Sequence, residues 1–355
     1  MIQRLLASLA SSALLVMVLI GAAFFRLPYV EYSPGPTVDV LGNQADQEII
    51  EISGHRAYHD DGQLRMTTVY VSPPEGGIDV YTAMRAWLSS DRAVYPYEAV
   101  YPDNQTPEDA DRESSVQMVG SQDAAVAAAL SELGYSFPTV VEVQAVSPDM
   151  PASGRLEVRD VLLRVGTTKI RTAEDVVAAV ADHAAGTPLD FRVRRDGKVR
   201  VVSVTPEEVD GTPKVGIVPG PGFVFPFDVK IGISEDIGGP SAGLMFSLAI
   251  YDTLTPGSLT HGKSVAGTGT IDPKGEVGPI GGIAQKIVGA RDAGAELFLV
   301  PAYNCSEAVT APAGDMRLVR ADTLDSALKA INDWTDDPDA ELPSCETAST
   351  DQETN

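Results

Sequence analysis

The sequence predicts two folded units, one α/β (α+β) and one mainly β, behind a single N-terminal transmembrane helix. Three observations predict this. Residues 5–25 carry no charged side chain. Residues 137–206 read as strand, strand, helix and hairpin, and residues 213–333 alternate strands with apolar helices. A length of 355 residues fits about two units at roughly 150 residues each.

Composition narrows the function classes. The chain is 44% hydrophobic, enough for packed cores, and its formal net charge is −24. So acidic a surface repels phosphate backbones, which argues against a nucleic-acid partner. The 2 cysteines, Cys305 and Cys345, make neither a zinc site nor a disulfide-dense scaffold. His55 and His59 stand four apart, but Arg56 occupies the place where a zinc peptidase helix needs glutamate. No metal and no cofactor is expected.

The apolar run at 5–25 reaches about 31 Å as a helix, matching a hydrocarbon core of about 30 Å. Residues 1–26 therefore read as a membrane anchor. Gly21-Ala22-Ala23 leaves a signal-peptide cleavage open. Arg4 and the N-terminal amine favour a cytoplasmic N-terminus, which places everything after Arg26 outside the cytoplasm. There Cys305 and Cys345 either pair or stay as two thiols, with pairing preferred.

After the anchor, Pro34-Gly35-Pro36 reads as a stiff turn, followed by strands at 37–41, 48–52 and 64–71. Residues 79–88 read as a short helix, 102–113 as an acidic loop, and 114–133 as a helix stopped by Gly134. In the block that follows, 140–146 and 161–165 read as strands. Thr172 caps a helix to about Ala185, with Asp175 completing a capping box. Asp196-Gly197 between alternating runs is the clearest hairpin signal. Beyond it, 225–233, 264–271 and 297–301 read as strands, and 241–252, 282–293 and 322–334 as helices. Residues 335–355, acidic and without Lys or Arg, read as a disordered tail unless Cys345 ties them down.

The block at 136–210 resembles a bacterial PDZ domain. Ser147-Pro148, Pro151-Ala152, Gly154-Arg155-Leu156 and Asp160-Val161-Leu162-Leu163-Arg164-Val165 carry the resemblance. Arg159 stands where many such domains have glycine. The resemblance implies a peptide adding as a strand beside 140–146, against the helix from Thr172. Gly134, Tyr135, Ser136 and Phe137 would be the nest for its carboxylate.

Three motif matches lie in the last block. Gly257 to Ser264 satisfies the phosphate-loop pattern, but with helix before and strand after, the reverse of what the mechanism needs. No ATP is expected. Gly239-Pro240-Ser241-Ala242-Gly243 satisfies the nucleophile-elbow pattern, yet the only later histidine, His261, follows by just 20 residues. The third reading pairs Ser241, at the positive end of an apolar helix, with Lys286. That lysine shares a helix face with Ile283, Ala290 and Ala293. Desolvation on such a face lowers an amine's pKa, so it can take the serine proton.

This pair and its surroundings resemble the proteolytic domain of Lon-type Ser-Lys peptidases. The matching residues are Gly239 to Gly243, Thr268-Gly269-Thr270-Ile271, Gly275-Glu276-Val277, Pro279 to Ile283 with Lys286, Ala290 to Gly294, and Leu299-Val300-Pro301. The resemblance implies Ser241 as nucleophile and Lys286 as general base, with Thr268 and Ala242 in support. Gly238 departs from an aspartate common in the family, and Asp236 is offset. A Lon-type domain is longer than 211–334, so residues 27–135 are expected to supply its N-terminal part, with the PDZ domain inserted. The whole chain resembles membrane-anchored PDZ-plus-Lon-domain proteins of bacteria. That implies an ATP-independent serine endopeptidase cleaving unfolded or extended segments outside the cytoplasm. The PDZ domain would recruit C-terminal tails or gate the site, and homo-oligomers are implied because Lon-type domains often form rings. The alternative is a catalytically silent PDZ scaffold at the membrane.

Overall fold

A six-stranded sheet drawn from two distant stretches of sequence organises the molecule. The computed structural model describes residues 2–44, 47–74, 76–101, 106–234 and 237–345. Helix α1 (Ile2–Phe24) is followed by β1 (Arg26–Leu27), β2 (Tyr29–Asp39), β3 (Ile50–Ser53), β4 (Gln63–Val71) and β5 (Ile78–Asp79). Then come α2 (Val80–Trp87), β6 (Ala93–Pro96) and the long helix α3 (Pro107–Glu132). The mainly β unit holds β7 (Thr139–Val146), β8 (Val161–Val165), α4 (Ala173–Ala181), β9 (Leu189–Arg195), β10 (Lys198–Val204) and β11 (Ile217–Phe223). The chain continues through β12 (Asp228–Ile231), α5 (Gly243–Leu254), β13 (Ser264–Gly267), α6 (Ile283–Asp292), β14 (Leu297–Pro301), β15 (Arg317–Ala321) and α7 (Leu324–Asp336).

The large sheet runs β15-β14-β13-β4-β2-β6. Strand β13 from the second half pairs in parallel with β4 from the first, Val265 against Leu64 and Gly267 against Met66. Helices α3, α5 and α7 share one apolar core with this sheet, including Leu64, Met66, Leu130, Phe246, Leu248 and Ile331. Helix α6 packs in a second core through Ile283, Ile287 and Ala290, together with Phe298 of β14. The β unit has its own sheet, β10-β9-β8-β7-β11, around Phe191, Val143, Val176 and Val193. Its hairpin turns at Asp196 and Gly197, both at positive φ (49° and 72°), as Asp-Gly favours. Thr172 and Asp175 close the expected capping box on α4, which ends at Ala181 rather than near Ala185.

Three sequence expectations change. Pro34-Gly35-Pro36 is a bulge inside β2, where the register to β4 shifts between Pro34 and Thr37. A Cβ on Gly35 would lie 2.3 Å from Thr68 Oγ1, so only glycine lets the strands approach. The acidic stretch 106–113 is the first two turns of α3, not loop. Thr106 caps it, Pro107 opens it, and Glu108 and Asp109 sit on its positive end. Residues 102–105 lie outside the described set. The start of the expected disordered tail is bound: Arg317 donates to the carbonyls of Pro338 and Ala340, and Cys345 is disulfide-bonded to Cys305. The tail beyond Cys345 lies outside the described residues.

Helix α1 is 23 residues long, and among its described side chains Leu9, Leu14 and Met17 are exposed and join no core. Among the described residues, which leave out several α1 side chains, no helix is long and apolar enough to cross a membrane.

Candidate active site

Ser241 lies in the turn that leads into α5, whose N-cap is Ala242. That turn is held from outside the helix. The Gly239 amide donates to the Ser114 carbonyl of α3 at 3.1 Å, and Ser121 Oγ of α3 donates to the Pro240 carbonyl at 2.9 Å. The Gly269 amide and Thr268 Oγ1 both donate to the Ser241 carbonyl, at 2.9 and 3.0 Å. Gly239 needs its φ of 86°, which glycine adopts without strain. Gly243 is fixed by space, since a Cβ there would lie 2.9 Å from Ile271 Cγ2. The Leu244 amide, one of the first in α5, donates to the Gly269 carbonyl at 3.1 Å.

Lys286 reaches this turn from α6. Gly282, left-handed at φ 67°, is the N-cap, and the Lys286 amide donates to its carbonyl. Asn304 pins the preceding segment by accepting from the Ile280 amide at 3.0 Å and donating to its carbonyl at 2.9 Å. Lys286 is 2% exposed, and its Nζ donates to Thr268 Oγ1 at 3.0 Å. Burial pushes its ammonium down to about 7, because the charged form loses its hydration. A serine, a fully buried threonine hydroxyl and a deprotonatable amine thus form one hydrogen-bonded run, Lys286 to Thr268 to the Ser241 backbone. The run brings the Lys286 amine to the turn that carries Ser241, with the threonine hydroxyl between them.

Sequence reasoning missed the part played by α3. Gly238 is explained by it, since a Cβ there would lie 1.9 Å from Ser114 Oγ. A side chain at 238 would require the Ser114 hydroxyl on α3 to move. Asp236 lies outside the described residues. The two discarded motifs are placed elsewhere. His261 follows α5, a helix about 18 Å long, at the end away from Ser241. Lys263 of the phosphate-loop match sits over the Trp334 ring at 4.2 Å.

The peptide groove is not where the sequence placed it. Strand β7 has β8 on one side and β11 on the other, the latter paired from Thr139–Phe223 to Val146–Ile217, so no peptide can add beside it. Among the described residues no strand pairs with the outer edge of β11. A cavity of about 580 Å³ lies between that strand and α4, lined by Val176, Val177, Val180, Ile217 and Pro219. The proposed nest is also displaced. Gly134 and Tyr135 close a Schellman stop on α3, donating to Ser131 and Leu130. The Tyr135 hydroxyl meets His55 Nε2 at 3.0 Å, Phe137 packs on Phe223 and Phe225, and Ser136 is exposed beside them. These four residues join α3 to its neighbours and face no groove. The loop that enters β11, with Gly216 at φ 80°, lines the cavity.

Arg159, the departure from glycine, keeps the backbone glycine would have, at φ 71°. Its guanidinium compensates by pairing with Asp123 at 3.1 Å and donating to Gln122, both on α3. Glu142 of β7 lies against the same Asp123. Burial first, then that second carboxylate, pushes Glu142 up to about 9.

These elements define a chain with a Lon-type proteolytic domain and a PDZ domain. Residues 232–332 match the model of the Lon protease (S16) C-terminal proteolytic domain, and residues 108–205 match the PDZ model. The PDZ match stops short of β11, which the structure adds to that sheet. A Lon protease of Campylobacter concisus is 39% identical over 95 residues, covering 26% of this chain and 12% of that protein. A Lon protease of Chloroflexus aurantiacus is 37% identical over 93 residues, covering 25% and 11%. The chain therefore spans only a small part of the length of these relatives. Among solved structures, the PDZ domain of an SdrC-like protein from Listeria innocua is 21% identical, covering 22% of this chain and 92% of that one, with a TM-score of 0.21.

Proposed function

We propose that this chain is an ATP-independent serine endopeptidase with Ser241 as nucleophile and Lys286 as general base. The observation that carries the reading is Lys286 itself: 2% exposed, with an ammonium pushed down to about 7, and joined through Thr268 to the residue it would deprotonate. A neutral Lys286 amine takes the Ser241 hydroxyl proton as Oγ attacks the scissile carbonyl. The oxyanion gathers on the Ala242 and Gly243 amides at the α5 N-terminus. Collapse breaks the C–N bond, and Lys286 returns its proton to the departing amine. Water then attacks the acyl-enzyme as Lys286 takes its proton, and Lys286 passes that proton to Ser241 Oγ as the C–O bond breaks and the carboxyl product leaves.

Within this reading residues 27–135 and 211–334 form one proteolytic domain with the PDZ domain at 136–210 inserted. The parallel pairing of β13 with β4 and the bracing of the serine turn by α3 support it. The phosphate-loop match has its helix and strand in reverse order, which supports action without ATP on segments already extended. The cavity between β11 and α4, lined by Val176, Val177 and Val180, suits the apolar side chains of a bound peptide. The anchor reading gives α1 to the membrane, N-terminus in the cytoplasm, with the rest outside. It is supported by the uncharged run at 5–25 and by the exposure of the described apolar α1 side chains, Leu9, Leu14 and Met17 among them. The reading is tested by turnover of unfolded casein by the full chain in detergent. Wild type cleaves it, and Ser241→Ala and Lys286→Met, each folded, do not. Cleavage by either variant contradicts the assignment.

A further inference from the structure

Helix α2 carries an apolar face that the fold leaves uncovered. Ala86 is buried, at 1% exposure. On the opposite side Tyr81, Met84, Trp87 and Leu88 are 71%, 55%, 82% and 82% exposed. At about 100° per residue these four fall in one stripe about 120° wide. A cap fixes the helix start: Asp79 accepts from the Thr82 amide and from its hydroxyl, at 2.9 and 2.8 Å.

The position of this face is set by α1. Strands β1 and β5 pair Arg26 with Asp79 and Leu27 with Ile78. Helix α2 therefore begins beside the residue that stands two positions after the last residue of α1. Phe24 and Phe25, at the end of α1, are themselves 80% and 62% exposed. The apolar stripe of α2 and the apolar end of α1 are thus held at one level of the molecule. Arg85 borders the stripe and reaches Glu31 at 3.8 Å.

We propose that α2 lies in the headgroup layer of the bilayer that α1 enters, with Tyr81, Met84, Trp87 and Leu88 in contact with lipid and Arg85 at the level of the phosphates. This rests on the anchor reading. The occupant is a phospholipid surface, because the face is continuous with the mouth of the anchoring helix. Tryptophan and tyrosine, with apolar bodies and polar handles, suit the membrane interface. A second attachment a few residues from the first would stop the chain from swivelling about α1. Since β5 leads into α2 and β6 follows it beside β2, the second attachment sets the tilt of the large sheet over the membrane.

The test uses the full chain reconstituted into phosphatidylcholine vesicles, beside Trp87→Phe. The sequence holds 2 tryptophans, and the other, Trp334, is buried at 4% exposure. The difference between the two proteins therefore isolates the Trp87 emission. Flotation with the vesicles reads the anchor, and quenching by brominated phosphatidylcholine reads α2. The proposal expects flotation, a blue-shifted Trp87 component and loss of most of that component with brominated lipid. Flotation with an unquenched, water-like Trp87 overturns it and leaves the anchor standing. A blue-shifted but unquenched Trp87 that reddens on dilution shows a second copy covering the face, and also overturns it. Failure to float overturns the anchor reading and this proposal with it.

Discussion

Replacing Lys286 by methionine should abolish turnover and, at neutral pH, make the protein more stable. Methionine keeps the length and packing of the side chain and removes the charge. In the unfolded chain the lysine titrates near its ordinary 10.5, and in the fold near 7. The folded state therefore binds fewer protons than the unfolded state between those values. Its stability rises with pH across the window of about 7 to 10.5 and lies at its lowest below about 7. The gap of roughly 3.5 units corresponds to about 5 kcal/mol held against the wild type at pH 7. The Lys286–Thr268 hydrogen bond offsets about 1 kcal/mol of that. The variant should gain on the order of 4 kcal/mol at pH 7, draw level with the wild type near pH 10 and fall slightly below it by pH 10.5, where only the lost hydrogen bond counts. In a thermal melt this is a rise on the order of 10 °C, from about 2–4 °C per kcal/mol for a chain of this class. The assay is a paired melt of wild type and Lys286→Met at pH 6, 7, 8.5 and 10, alongside casein turnover. A variant less stable than wild type at pH 7, or a gap that does not close by pH 10, would refute the claim that a buried, destabilised amine sits there.

On the proposed mechanism kcat/KM should rise through about pH 7 and level off above it in a pH–rate profile, since there only the neutral amine would accept the serine proton. Thr268→Val should lower kcat on the order of a hundredfold with KM unchanged, by freeing Lys286 to shift, and Thr268→Ser should restore it. Stability should also reflect Glu142. With its carboxyl raised to about 9, the fold binds the extra proton, so this contribution is present below about 4.5 and lost as pH rises towards 9. Glu142→Gln should flatten that decline in urea melts at pH 5 to 9, and an unchanged slope would remove Glu142 as its source. Cys345→Ser opens a 40-residue loop and should cost about 2–4 kcal/mol, with faster hydrogen exchange confined at first to residues 337–345.

Much of the secondary structure is legible because local chemistry decides it. The Asp196-Gly197 hairpin, the Thr172 capping box and the Gly134 stop stand where their residues dictate. The start of α3 was equally written, in Thr106 and Pro107, but a run of acidic residues reads as solvated loop until the helix dipole is weighed against it. Strand β11 is different in kind. Ile217–Phe223 contains Pro219, Gly220, Pro221 and Gly222, which locally read as breakers. It forms a strand because it lies at a sheet edge, where missing amide donors are tolerated. Placing the groove beside β7 failed for that reason: the partner that covers β7 arrives from some 70 residues further on.

At the serine the sequence shows the candidate reacting groups but not what holds them. Ser241, Thr268 and Lys286 stand in a motif with few readings, and the structure joins them by hydrogen bonds. The bracing by Ser114 and Ser121 is silent in sequence, because a serine in a helix advertises no partner more than 100 residues away. Arg159 shows the same limit. A residue forced to φ 71° reads as a defect until its ion pair to Asp123 is seen.

The central claim is that Ser241 is a nucleophile activated by Lys286. Its most direct test is intact-mass analysis of the full chain after a serine-reactive fluorophosphonate, at pH 8, beside folded Ser241→Ala and Lys286→Met. The account predicts a single adduct on Ser241 in the wild type, none in Ser241→Ala, and strongly slowed labelling in Lys286→Met. An adduct that persists in Ser241→Ala, or labelling of Lys286→Met at the wild-type rate, would contradict it.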